Sequence, residues 1–402
     1  MDSPCILEKK LTVCGYRIQM EVTMSTVIYI GIDVHKDTYT LSSFLFSTNR
    51  VFGQNTIANS SNLVKKYVEK IQKEYPGSDV LCGYEAGPTG YGLYRDLERY
   101  GIPCVIMAPT TLPKASGDRV KNDRLDAQLL SKQLAFGTYS AVYVPTTKDE
   151  AVKNFTRLRN TRKIALKKAK QNLLAFLLLV GDCYSDGSYW TLKHYAWLRK
   201  QEFSDQVDQQ TFNEYLQEVI DQQEKVNRYD EKIEEIAAQD GYREQVAKLR
   251  CFRGIETHTA LSLVTEIGDF SRFAQAPQFS AFLGLVPSED SSGKRERRGA
   301  ITKAGNSRLR LLLIEAANST LRSRTYGKKS KRLLARQKGQ DPDVIAYADR
   351  ANRRLHKVQD RLISRGVIPN KAKVAAAREL SCFIWGMMTG NIEGRTAQAA
   401  RQ

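Results

Sequence analysis

Apolar and polar positions change period several times along the chain. Three β-rich stretches lie near 27–33, 38–46 and 50–57. Leu63, Val64, Tyr67, Val68 and Ile71 then recur at three- and four-residue spacing. That spacing predicts an amphipathic helix, with Asn59-Ser60-Ser61 as candidate caps and Pro76-Gly77 as its breaker. A strand over 79–84, a helix over 90–100 and a strand over 103–107 follow. A further helix carries Asp123 and Asp126. Two hairpin-linked strands and then strand–helix alternation predict an α/β domain over 26–145, preceded by an N-terminal extension over 1–25.

The remainder reads as helical. Residues 146–181 predict one long basic helix, without an acid between Ala151 and Asn172. Residues 182–205 hold two of the three tryptophans and predict a turn with a small packed insert. Residues 208–240 are helical again, with Tyr215, Val219, Val226, Tyr229, Ile233 and Ile236 on one face. Two long helices joined by a turn predict an antiparallel hairpin or coiled-coil-like arm over 146–244. That arm is either a dimerisation stalk or a linker. Residues 245–390 predict a mostly helical second domain, closed by a helix over 371–388, and 391–402 reads as a frayed tail.

Composition narrows the partners. A formal net charge of +18 implies a polyanion. No apolar run approaches the ~20 residues of a membrane helix, so no membrane association is expected. The seven cysteines are odd in number and form no C-x-x-C pair. They argue for a reducing compartment such as the cytoplasm, and against a zinc site or disulfide framework. No Walker-type loop is present, so ATP dependence is not expected.

Four acids carry the candidate chemistry. Asp33 ends the run Val27-Ile28-Tyr29-Ile30-Gly31-Ile32, and Glu85 ends Val80-Leu81-Cys82-Gly83-Tyr84. Asp123 and Asp126 sit three apart, on one helix face. The element order fits an RNase H-like sheet, in which such acids converge. Converging carboxylates repel unless a cation lies between them, and hard oxygen ligands suit Mg²⁺, with Mn²⁺ possible. The competing reading is that Asp123 and Asp126 merely cap or pair with Arg119, Lys121 and Arg124. His35 could touch the site, but its position suits a local structural role better.

Two further stretches stand out. Leu249-Arg250-Cys251-Phe252-Arg253-Gly254-Ile255-Glu256-Thr257-His258 resembles a helix-hairpin-helix turn, which would face a phosphate. An ordinary packing corner is the alternative. From 291 to 310 there are seven Lys/Arg and one acid. Ser291-Ser292-Gly293 opens this stretch. By itself it reads as loop chemistry beside a phosphate-binding patch. The basic run Arg322–Lys338 reads as a solvated loop or phosphate contact.

Several motifs in order resemble one family. They are Gly31-Ile32-Asp33-Val34-His35-Lys36-Asp37, Tyr84-Glu85-Ala86-Gly87-Pro88-Thr89-Gly90 and Lys121-Asn122-Asp123-Arg124-Leu125-Asp126-Ala127. Gly284-Leu285-Val286-Pro287, Ser291-Ser292-Gly293-Lys294 and Ile301-Thr302-Lys303-Ala304-Gly305-Asn306 complete the set. Together they resemble the DEDD transposases of insertion-sequence family one-hundred-ten, relatives of the Piv invertase, over about 26–180 and 245–390. The resemblance implies a RuvC-like domain in which Asp33, Glu85, Asp123 and Asp126 bind Mg²⁺, a helical arm and a C-terminal transposase domain. It makes Ser292 a nucleophile, with Ser291 as the alternative. It implies a phosphoserine intermediate, strand exchange between donor and target DNA, a noncoding bridge RNA as guide, and a homodimer or homotetramer. Lys121, Arg124, Arg159, Arg162, Lys167, Lys294, Arg297, Arg298, Lys303 and Arg308 are then candidate nucleic-acid contacts. A metal-dependent junction endonuclease acting by hydrolysis is the rival, and it would not need Ser292.

Overall fold

The computed structural model describes residues 11–13, 16–18, 26–109, 122–290, 298–321 and 329–392; for 11–18 and Arg298 it describes the backbone alone. The chain divides into two compact units, 1–144 and 145–402.

In the first unit, Leu11–Val13 (β1) and Tyr16–Ile18 (β2) pair antiparallel. The main sheet has five strands: β3 (Val27–Val34), β4 (Thr38–Leu45), β5 (Arg50–Ala58), β6 (Asp79–Glu85) and β7 (Cys104–Met107). Their spatial order is β5-β4-β3-β6-β7. The first three strands pair antiparallel, and β3, β6 and β7 run parallel. This mixed order is the one the RNase H-like reading predicts.

The side-chain period of two assigns the faces of the sheet. Ile28, Ile30 and Ile32 are fully buried and share a core with Val64, Tyr67, Val68 and Ile71 of α1 (Ser61–Glu74) and Leu93 and Leu97 of α2 (Gly92–Arg99). The opposite face carries Tyr29, Leu81, Val105 and Met107, which pack on Leu130 and Leu134 of α3 (Asp123–Phe136). Gly31, Asp33, Gly83 and Glu85 alternate onto this second face.

The second unit is almost wholly helical. Its helix α4 (Thr147–Leu179) has 33 residues and α6 (Gln206–Ala237) has 32. They run antiparallel: Arg159 meets Asp230, Lys170 meets Gln223, and Phe176 meets Tyr215. Thr146 caps α4 and Asp205 caps α6 through side-chain oxygens. The insert between them folds around buried His194 at the start of α5 (Leu192–Leu198), ringed by Tyr184, Tyr189, Trp190 and Trp197.

The other helices are α7 (Arg243–Arg250), α8 (Thr257–Ile267), α9 (Ala276–Phe282), α10 (Ser307–Leu321), α11 (Lys331–Gln337), α12 (Pro342–Ser364) and α13 (Pro369–Met388). A short hairpin, β8 (Pro287–Glu289) and β9 (Arg298–Ile301), interrupts them. The expected boundary at 244/245 falls inside this unit. Val152 of α4 and Ile233 and Ala237 of α6 share one core with Leu249, Leu261, Leu313, Leu355 and Leu380. The root of the arm is therefore part of that core. Among the described residues no helix is long and apolar enough to cross a membrane.

Candidate metal centre and nucleic-acid face

The approach of α3 to the sheet sets the geometry of the acids. Gly31 and Gly83 are register partners on β3 and β6. A Cβ on Gly31 would collide with the backbone of Ala127 and Ser131, and one on Gly83 would press on Leu134. Two adjacent glycines thus leave a flat patch on which α3 lies directly. Asn122 caps that helix by accepting from the Arg124 backbone N–H, so Asp123 and Asp126 are not needed as caps.

Asp33 Oδ2 lies 3.0 Å from His35 Nε2, which is 3.7 Å from Asp123 Oδ1. One ligand atom from each of these three residues lies within 4.8 Å of the others. Asp126 stands close enough to act on Asp33 electrostatically. Glu85 ends β6 beside Asp33, one register step past the Ile32–Tyr84 pair. It is exposed and is not one of the three converging residues. The acids therefore form a tight pair, Asp33 and Asp123, with Asp126 near and Glu85 at the neighbouring strand end.

Burial pushes the Asp33 carboxyl above its ordinary range. His35 opposes that shift, and the Asp123 and Asp126 carboxylates add to it. The site thus gathers the carboxylates of Asp33, Asp123 and Asp126, with His35 as the opposing group. Donor atoms around an octahedral ion at about 2.1 Å stand about 3 Å apart at right angles and about 4.2 Å across. The trio fits a divalent cation by spacing, by donor chemistry and by charge. His35 is the member that sequence reasoning set aside. Its turn is pinned from outside: Asn59 donates to Lys36 O at 2.7 Å, and Tyr39 donates to Asn59.

The basic candidates separate into engaged and exposed groups. Arg159 is not an open phosphate contact, because both carboxylate oxygens of Asp230 hold its guanidinium at 2.7 and 2.8 Å. Arg157 is held likewise by Glu266, whose side chain is 5% exposed. Arg162 is half-buried, with its Nε enclosed. Lys167 and Lys168 are exposed on α4, as are Arg124 on α3 and Lys303 and Arg308 before and on α10; Lys163 is exposed too but stands 3.8 Å from Glu315. Lys121, Ser291, Ser292, Lys294 and Arg297 lie outside the described residues, and Arg298 starts β9.

Two other basic stretches are engaged in packing and ion pairs. Gly254 has φ +84° and is packed against Ala316 of α10, and Glu256 at the start of α8 pairs with Arg332 and Arg336. A carboxylate at a helix N-terminus opposes an anion there, so the 249–260 turn is a packing corner. The described part of the 322–338 run is a helix, not a loop. Lys329 pairs with Asp349 at 2.7 Å, and two arginines pair with Glu256.

Close packing constrains the backbone just before β8 and just after β9. Gly284 and Gly305 have positive φ, and a Cβ on either would collide with the backbone of Ala304 or Phe282. Arg310 donates to Leu283 O and Ala304 O. Asn306 caps α10 and donates to Glu266, the partner of Arg157. Sequence reasoning quoted Asn306 only as part of a motif and missed this three-residue network.

Comparison with known proteins agrees with these features. Residues 30–181 match the model of a DEDD transposase family, and 246–332 match one described as transposase of the IS116/IS110/IS902 family. The transposase for insertion sequence element IS1533 of Leptospira borgpetersenii is 34% identical over 343 residues, 83% of this chain and 96% of that protein. A relative from Sinorhizobium fredii is 33% identical over 362 residues, 89% of this chain and 88% of its own. The transposase for IS1111A of Coxiella burnetii is 26% identical over 335 residues, covering 82% and 88%. Two family models matched in order along the chain, with relatives matched over 88–96% of their own length, assign the chain to the IS110 family of insertion-sequence transposases, enzymes that cleave DNA and transfer its strands.

Proposed function

We propose that the first unit is a RuvC-like DEDD centre and that the second carries a serine nucleophile. In this reading Asp33, Asp123 and Asp126 hold Mg²⁺ or Mn²⁺, and Glu85 joins them from the neighbouring strand end. The ion, when bound, stabilises the charge that builds on phosphate oxygens during cleavage. The convergence of Asp33 and Asp123 over the glycine patch carries this reading.

Ser292 Oγ attacks a DNA phosphorus. The serine hydroxyl gives up its proton as the serine–phosphate bond forms, the bond to the 3′ oxygen breaks, and that oxygen takes up a proton to leave a free 3′-hydroxyl. The phosphoester is conserved, so religation to a new strand needs no nucleotide cofactor. Ser291 is the alternative nucleophile. Exposed Arg124, Lys163, Lys167, Lys303 and Arg308 contact phosphates, with Lys121, Lys294, Arg297 and Arg298 as further contacts. A noncoding bridge RNA selects donor and target by base pairing, in the bacterial cytoplasm. The working assembly is a homodimer or homotetramer, because exchange of four strands needs several serines.

The test is a denaturing gel of labelled donor DNA incubated with protein, Mg²⁺ and the flanking RNA. A protein–DNA adduct lost in Ser292→Ala is expected. Asp123→Asn should lose cleavage yet keep salt-sensitive DNA binding. Cleavage without an adduct, indifferent to Ser292→Ala, would mean that water is the nucleophile. An adduct formed without RNA would remove the guide.

A further inference from the structure

We infer that His35 ligates the divalent ion of this centre through Nε2, making it a mixed carboxylate–imidazole site. The inference rests on the metal reading above and adds a ligand beyond the four acids. Nε2 stands 3.0 Å from Asp33 Oδ2 and 3.7 Å from Asp123 Oδ1. An ion shared by those two oxygens therefore has this nitrogen as its neighbour. Nε2 and Asp33 Oδ2 lie at hydrogen-bonding distance, and an ion between them would take both as ligands. Here the nitrogen lies within 4.8 Å of both acids' ligand atoms.

The surroundings fix the backbone that carries the ring. His35 N donates to Thr38 O, closing the turn between β3 and β4. Asn59 donates to Lys36 O, and Tyr39 fixes Asn59 in turn. The imidazole is 49% exposed, so an ion can reach it from solvent. A neutral ring with its proton on Nδ1 presents the Nε2 lone pair to the metal. Imidazole suits transition ions, whereas carboxylate-only sites suit Mg²⁺. This centre should therefore hold Mn²⁺ more tightly than Mg²⁺, by a margin that depends on His35.

The experiment is pulsed EPR of the full-length protein loaded with Mn²⁺, read for coupling to ¹⁴N. The other three histidines, His194, His258 and His356, are buried in the second unit, so a nitrogen signal reports His35. Wild type should show the coupling. His35→Ala and His35→Gln should lose it and bind Mn²⁺ at least about tenfold more weakly, with a smaller change for Mg²⁺. Bound Mn²⁺ without nitrogen coupling, or coupling that survives both variants, would overturn the ligand role and leave the carboxylate site standing. Mn²⁺ binding that Asp33→Asn does not weaken would overturn the metal reading itself.

Discussion

Gly31 determines how near a helix backbone can come to the sheet. It occupies a strand, where glycine ordinarily weakens the structure, and its place is explained by the Ala127 and Ser131 backbone against it. Backbone atoms cannot rotate away as a side chain can, so an added methyl must push α3 outward. Gly31→Ala should destabilise the first unit by about 1–3 kcal/mol or more, the range for overpacking. It should also weaken Mn²⁺ binding, since Asp123 and Asp126 travel with the helix. Urea unfolding and metal titration of the same variant check both effects. A variant as stable and as metal-competent as wild type would show that α3 is not seated by this contact. The motif Gly31-Ile32-Asp33 marked the acid in the sequence, while the reason for its glycine lies in a helix some hundred positions away.

At the scale of the element, α4 shows why charge along a helix does not reveal its free face. Its acid-free run reads as uniformly available to phosphate. In the fold, Arg159 is held by an acid 71 residues on and Arg157 by one 109 residues on, while Lys167 and Lys168 stay exposed. The expected outcomes diverge. Lys167→Ala should lower the slope of log affinity for DNA against log salt by about 1, with thermal stability unchanged. Arg159→Ala should leave that slope alone and lower stability, because Asp230 loses its bidentate partner. Salt titrations by fluorescence anisotropy and thermal melts separate the two. A reduced slope in Arg159→Ala would mean that the pair opens to receive DNA.

For the whole molecule, burial of an ionisable group makes the stability of the second unit depend on pH. His258, in the first turn of α8, has its Nε2 3.4 Å from Thr156 O of α4. Burial, with Arg159 next in weight, pushes its pKa down from 6.5 to about 4. The unfolded chain then binds the proton more readily than the fold does between those values. Stability from this group is complete above pH 6.5 and is lost as pH falls toward 4, by roughly 3 kcal/mol. His258→Gln should flatten that part of the profile, measured as urea midpoints from pH 7 to pH 4. An unchanged slope would mean that the proton is taken up elsewhere.

The sequence by itself marked out many of the elements in their order and named four acids as candidates. β3 to α3, the two long helices and the closing helix are set by local period, caps and breakers, which neighbouring residues alone impose. Motif order identified the family as well. Only the tertiary structure decided which groups meet. It brought His35 to Asp33 and Asp123 and left Glu85 just outside the trio. It tied Arg157, Glu266 and Asn306 into one network and closed the Gly254 corner by packing. It also merged the root of the arm into the C-terminal core. These contacts join positions tens to more than a hundred residues apart, and their strength depends on burial and distance, neither of which is expressed in the spacing of letters along a chain.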